Sequence, residues 1–356
     1  MSFATDRFIL KEFAAPMVKA SSLPFREECL RYGASYAFTE ELIDKKVIGS
    51  YETECADGTV LFLTKKDRAR TVHFHPGRKS ETIAQLGTAD GVLALEASRS
   101  LLNYVSEINI NMGCPKSFST SGGMGAALLK KPEDAASIVK TLKPGLPPEI
   151  PVTCKIRYLG DKGDHDRMLK DTTEFMEGLA RSGADAITVH MRTTPMRPRE
   201  PAMWNTFVDL VRHLPSEVAK VPVIANGDFF NRSQISLFRD SVDSGLEGSG
   251  RSWCNSVMIA RGALWDPSIF IRDDAPPVPV HVIEDFLECC EKYQEPFVSV
   301  KWILGQMMDG HSEIGEVPVK KFREIIHKSS SMAQLREDLF LSCSSQTSKK
   351  TRLTPL

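Results

Sequence analysis

The sequence predicts an α/β fold, a TIM (β/α)8 barrel with a small C-terminal all-helical domain. Three observations predict it. Eight short β-branched runs alternate with amphipathic helical patterns over ~265 residues, close to the ~250 of such barrels. Polar or conformationally special residues collect at the C-terminal ends of those runs, where a barrel keeps its chemistry. After a Pro-rich stretch, residues 281–341 carry helical periodicity and no strand signal.

The expected strands span residues 9–17, 36–41, 82–87, 107–111, 152–157, 186–190, 221–226 and 256–261. Helical patterns fall at 24–32, 91–103, 132–142, 168–182 and 203–214, several with proline at the start or glycine at the end. No GxGxxG follows the first strand, which disfavours a doubly wound dinucleotide-binding sheet. Two insertions interrupt the alternation. Residues 54–75 are expected to make a hairpin around Ala56-Asp57-Gly58, and 243–255 a Gly/Ser-rich loop. The resulting division is a barrel at 1–273, a Pro-rich linker at 274–280, a helical domain at 281–341 and a disordered basic tail at 342–356.

Composition sets the outer bounds. The chain has 356 residues, a formal net charge of −1, 42% apolar residues and 26% charged ones, ordinary for a globular enzyme. Any nucleic acid must therefore be met by local basic patches. The eight cysteines are scattered, with only Cys289-Cys290 adjacent, so neither a metal site nor a disulfide framework is expected. No apolar run approaches the ~20 residues needed to span a bilayer, and the N-terminus does not resemble a signal peptide. A cytoplasmic protein without a membrane partner is expected, with a nuclear or endoplasmic-reticulum-associated pool left open.

The strand ends carry the candidate site. In order they are Ala15-Pro16-Met17, Gln85-Leu86-Gly87, Asn111, Lys155-Ile156-Arg157, His190-Met191-Arg192, Asn226-Gly227-Asp228 and Ala260-Arg261-Gly262. Each has a bland reading when taken singly: a snorkelling lysine, a core histidine, a turn. Their joint placement favours one site. Lys155 and Arg157 alternate, so both face the barrel axis or its mouth. The glycine-bearing turns after strands seven and eight suit a phosphate, with Arg261 adding charge-assisted hydrogen bonds. Lys155 suits the N1–C2=O edge of a flavin. Gln85 and Asn111 can hydrogen-bond a flat heterocycle, and Pro16 and Met17 can cover its face. These are the ingredients of a flavin mononucleotide (FMN) pocket.

The most informative stretch is Asn109-Ile110-Asn111-Met112-Gly113-Cys114-Pro115-Lys116, followed by Gly122-Gly123-Met124-Gly125. It puts a thiol on a loop just past a buried strand, a candidate acid or nucleophile. The glycine-rich tract beyond it is expected to act as a mobile lid.

These motifs resemble the tRNA-dihydrouridine synthases. The resemblance rests on the stretch from Asn111 to Lys116, Gly122 to Leu129, Cys154-Lys155-Ile156-Arg157, Val189-His190, Ile224-Ala225-Asn226-Gly227 and Met258-Ile259-Ala260-Arg261. Ala15-Pro16-Met17-Val18 paired with Thr39-Glu40-Glu41-Leu42-Ile43-Asp44 is most similar to the eukaryotic dihydrouridine synthase 2 subfamily. The resemblance spans about residues 8–340 and implies an FMN barrel with a helical domain that grips tRNA. It implies that NADPH, or NADH, reduces the flavin, that hydride passes to C6 of uracil 20 in the D-loop, and that Cys114 protonates C5. It assigns Pro16, Met17, Gln85, Lys155, His190, Asn226, Gly227, Asp228, Ala260 and Arg261 to the flavin. Asn111, Arg157, Arg192, Arg197 and Arg199 are assigned to the substrate side. The residue types suit the chemistry: a thiol of ordinary pKa ~8.5 stays protonated at neutral pH and can act as a general acid.

The chain departs from the family pattern at Met191 and Ala260, where glycine is usual. It stops about where animal members append a double-stranded-RNA-binding domain, so tRNA affinity is expected from the barrel and helical domain of a monomer. Basic clusters lie at Lys65, Lys66, Arg68 and Arg70, at Arg192, Arg197 and Arg199, and at Lys320, Lys321 and Arg323. The arginine trio is the strongest candidate for RNA contact. Two alternatives remain open: an FMN barrel reducing a free pyrimidine such as dihydroorotate, and a non-catalytic RNA-binding protein.

Overall fold

A computed structural model describes residues 7–246, 254–272, 277, 279–314 and 317–343. Eight parallel strands close into a barrel. They are β1 (Glu12–Ala14), β2 (Tyr36–Ile43), β6 (Thr82–Gly87), β7 (Glu107–Asn111), β8 (Val152–Tyr158), β9 (Ala186–Thr193), β10 (Val223–Asn226) and β11 (Val257–Ile259). β1 closes the ring by pairing with both β11 and β2. Between β2 and β6 the chain makes a separate antiparallel sheet of β3 (Ser50–Glu54), β4 (Val60–Thr64) and β5 (Arg70–Phe74). The expected hairpin is thus three strands, with Gly58 at φ +77 in the foreseen turn.

Side chains alternate across the barrel wall as a pleated strand requires. Ile108, Ile110, Cys154, Ile156, Ile187, Val189, Val223 and Ala225 face outward into the large core shared with the helices. Phe13, Phe38, Ile83, Ile224 and Met258 fill a second, smaller core with Phe8. The inward positions above that plug are polar, and they form the site.

The outer helices follow the local signals. The helix Gly91–Leu101 starts at Asp90, whose carboxylate accepts from the backbone N–H of Val92 and Leu93. The helix Arg232–Gly245, not foreseen from the sequence, starts at Asn231 in the same way, and it extends into what was expected to be loop. Residues 247–253 of that loop, most of the expected linker and nearly all of the expected tail lie outside the described residues.

The C-terminal part holds the helices Pro279–Lys292, Phe297–Met307, Val319–Lys328 and Met332–Cys343, with one short pairing of Glu313–Ile314 and Val317–Pro318 that its periodicity did not predict. It is tied to the barrel side by Tyr32 Oη donating to Asp285 (2.8 Å) and by the Arg70–Glu295 ion pair (2.6 Å). No helix among the described residues is long and apolar enough to cross a membrane.

Candidate active site

The thiol loop is built by its own strand end. Asn111 terminates β7 and is buried; its Oδ1 accepts from the backbone N–H of Gly113 (3.0 Å) and Cys114 (3.1 Å). Arg157 on β8 donates from Nε to the Gly113 carbonyl (2.8 Å) and from Nη1 to the Thr193 carbonyl (3.2 Å). The Ala126 N–H donates to the Cys114 carbonyl (2.9 Å). Gly125 sits at φ +57, where a Cβ would lie 2.6 Å from that carbonyl. The far end of the glycine-rich tract, Gly125 and Ala126, is therefore packed against Cys114, while Gly122 is exposed.

Glu41, at the mouth end of β2, is a residue the sequence reading did not assign. It pairs in register with Gln85 and so points inward. Its Oε1 accepts from Ser119 Oγ (2.9 Å). Burial pushes the Glu41 carboxyl up, opposed by Ser119, Cys114 and Asn111 as hydrogen-bonding neighbours and by the Lys155 charge. The half-buried Cys114 thiol is likewise pushed up, by burial first and the Glu41 charge second, so it keeps its proton at neutral pH. Two adjacent glutamates in an otherwise apolar strand were the signal available.

Across the mouth lies a cationic cleft of about 190 Å³, lined by Arg157, His190, Arg192, Asp228, Arg261 and Gly262 among others. Asp228, held at φ +54, organises it. Its Oδ2 accepts from Arg192 Nη2 (2.5 Å) and the Ala202 N–H (2.7 Å), and its Oδ1 from Arg261 Nη2 (2.6 Å). The Arg261 guanidinium also lies 5.0 Å from the Phe230 ring centroid, and Phe230 stacks on Trp265 at 4.7 Å. The helix after β11, Arg261–Trp265, has five residues, so these side chains rather than a helix dipole give the cleft its field.

Lys155 joins the two halves. Burial, then the Arg157 charge, push its ammonium down to about 7. Burial, then the charges of Lys155, Arg157, Arg192 and Arg261, drive His190 well below the usual imidazole range, so it stays neutral. A cleft lined by Arg157, Arg192 and Arg261 with Asp228 as its carboxylate selects an anion.

The other expected residues fall around this centre. Gln85 is buried, donating from Nε2 to Asn109 Oδ1 (2.8 Å), and Asn109 donates to Thr153 Oγ1 (2.8 Å). Ser21 Oγ accepts from the Met17 N–H (2.9 Å) and donates to the Ala15 carbonyl (3.1 Å), fixing the half-buried Pro16 and Met17. Asn226 donates to the Met258 carbonyl (2.8 Å), and Gly227, at φ +146, offers its carbonyl to Trp204 Nε1 (3.0 Å). Ala260 lines the cleft. Met191 is buried on the outward side of β9, so it does not intrude on the mouth between His190 and Arg192.

The arginine trio is divided. Arg197 and Arg199 are exposed, whereas Arg192 is 3% exposed and engaged with Asp228 and the carbonyls of Pro198 and Glu200. Arg192 shapes the cleft and is not a surface contact. Lys65, Lys66, Arg68, Lys320, Lys321 and Arg323 are exposed, Arg323 against Asp309, while Arg70 is committed to Glu295.

Fold and site together define a β/α-barrel protein with a protonated thiol beside an anion-binding cleft. The chain belongs to the dihydrouridine synthase (Dus) family, whose profile matches residues 13–347. It is 33% identical over 335 residues to the tRNA-dihydrouridine(20) synthase [NAD(P)+] of Schizosaccharomyces pombe, covering 91% of this chain and 63% of that protein. It is 32% identical to the protein of that name in Saccharomyces cerevisiae, covering 84% and 77%. The human tRNA-dihydrouridine(20a/20b) synthase [NAD(P)+]-like protein is 27% identical, covering 84% and 82%.

Proposed function

We propose that this protein is an FMN-dependent tRNA-dihydrouridine synthase that uses NADPH, or NADH, to reduce uridine 20 of the D-loop. The observation that carries the reading is the juxtaposition of the protonated Cys114 thiol with the cationic cleft, bridged by Lys155 and Arg157. The names of two relatives support position 20 and an NAD(P) partner.

The donor set fits FMN. Arg261, fixed by Asp228, and the neutral His190 suit its phosphate, and Gly227 and Gly262 line the same cleft. Lys155 suits the flavin's N1–C2=O edge, where it would stabilise negative charge. When bound and reduced, the flavin supplies hydride for uracil C6. The chain does the rest. Asn111 and Arg157 hold the Cys114 loop, and Cys114 gives its proton to C5 as the enolate collapses. The target base must leave its stack to reach this depth, which suits a loop nucleotide. Arg197 and Arg199 beside the mouth, with Lys320 and Lys321 on the helical part, supply phosphate contacts.

The test is to identify the flavin released from purified protein by mass, then follow NADPH oxidation with unmodified tRNA and with free pyrimidines. FMN and tRNA-dependent oxidation are expected. A yellow protein that oxidises NADPH with a free pyrimidine and leaves tRNA unchanged would establish the small-molecule reductase instead.

A further inference from the structure

We propose that Glu41 returns the proton to Cys114 after each turnover, drawing it from a solvent-facing cleft on the far side of the barrel mouth. The inference rests on the reading of Cys114 as the acid and goes beyond it by assigning the source of its proton. Three observations carry it. Glu41 faces inward beside the Cys114 loop, with Ser119 Oγ donating to Oε1 at 2.9 Å. Its Oε2 is buried with no hydrogen-bond partner within normal range, the atom that a proton would occupy. Glu41 also lines a second cleft of about 290 Å³, together with Glu40, Lys46, Arg70, His73 and Phe118, distinct from the cationic one. A single side chain therefore lies beside the acid's loop and lines a cleft that shares no lining residue with the cationic one.

The step balances without a redox partner. The Cys114 S–H bond breaks as its proton goes to uracil C5, leaving a thiolate. Glu41, a carboxylate in the resting site, then takes a proton from water in the second cleft, leaving hydroxide to the solvent. Its new O–H bond breaks as the S–H bond reforms, and the carboxylate is restored. The Glu41 charge raises the proton affinity of the thiol, and reciprocally a thiolate beside Glu41 raises that of the carboxyl. The groups facing the pair are Lys155 and Arg157 from β8, Asn111 from β7, Ser119, and the Lys116 backbone. The neighbouring Glu40 is engaged by the Lys19 N–H (2.7 Å).

The experiment compares wild type, Glu41→Gln and Glu41→Asp with folding verified by circular dichroism. One arm measures the first turnover of flavin-reduced enzyme and then the steady state, both on unmodified tRNA. The other follows iodoacetamide alkylation of Cys114 against pH by peptide mass, without tRNA. In Glu41→Gln the steady-state rate is expected to fall at least tenfold more than the first turnover, because the first proton is already on sulfur. Glu41→Asp is expected to recover part of the loss. Alkylation near pH 8 is expected to rise severalfold in Glu41→Gln, since removing the carboxylate charge favours the thiolate. Equal losses in both phases, or no loss, would overturn the proposal. Absence of dihydrouridine in wild type would defeat the tRNA reading instead, and an unchanged alkylation profile would then overturn the Glu41 assignment independently.

Discussion

Asn111 Oδ1 holds Cys114 by its backbone N–H at 3.1 Å, and it holds Gly113 at 3.0 Å through the same oxygen. The end of β7 thereby sets where the thiol sits. Asn111→Ala leaves two N–H groups without that acceptor, a cost of about 2 kcal/mol. It also lets the sulfur wander, and about tenfold or more of the turnover rate is expected to go with it. Denaturant melts and steady-state rates check both effects.

The position of Lys155 predicts a pH dependence of ligand binding. With its ammonium pushed down to about 7, the ligand-free pocket loses positive charge as pH rises through that value. An anionic ligand binds the protonated form better and takes up a proton. FMN affinity should therefore fall between about pH 7 and about pH 9, by at most about tenfold per unit. Lys155→Met should bind more weakly near neutrality and show a flattened profile. Flavin fluorescence titrations at fixed ionic strength would decide it.

Arg261 and Arg192 share Asp228 but differ in consequence. Arg261→Ala removes a half-exposed donor from the cleft and is expected to weaken FMN binding about 10–100-fold with little change in stability. Arg192→Ala breaks a buried pair whose side chains are 4% and 18% exposed. Its cost is expected at about 2–3 kcal/mol, below the ~3–5 of a fully buried pair, because Asp228 keeps Arg261 and the Ala202 N–H. Flavin retention and chemical melts separate the two.

Arg197 and Arg199 are exposed and are the arginines proposed to meet RNA phosphates. The double alanine variant should lower the log–log salt slope of tRNA binding by about 1.4–1.8, at ~0.7–0.9 per lost phosphate contact. An unchanged slope would place the RNA elsewhere.

The sequence showed the barrel most clearly where burial is complete on both faces. β6 and β7 have the bounds predicted for them, and every residue of both strands is buried. β2, β8 and β9 run one to three residues further than expected. Bulges between Phe38 and Glu41 and between Arg157 and Tyr158 carry these strands past the bounds that alternation alone suggested. Conversely, β1 and β11 are shorter, since Ala15 to Met17 leave the ladder to be held by Ser21. The cationic half of the site was legible from strand-end residues alone. Glu41 was not, because a carboxylate's role there depends on Ser119 and Cys114, each over 70 positions away. Grouping Arg192 with Arg197 and Arg199 as an RNA contact overlooked Asp228, 36 positions on, which holds it in the cleft.

The most direct test is position-resolved mass spectrometry of unmodified tRNA after incubation with the purified chain, FMN and NADPH, beside a Cys114→Ala control. Dihydrouridine at position 20 with wild type, lost or greatly slowed in the variant, is the predicted result. No dihydrouridine with a flavin-loaded wild type, or equal formation by the Cys114→Ala variant, would contradict the account.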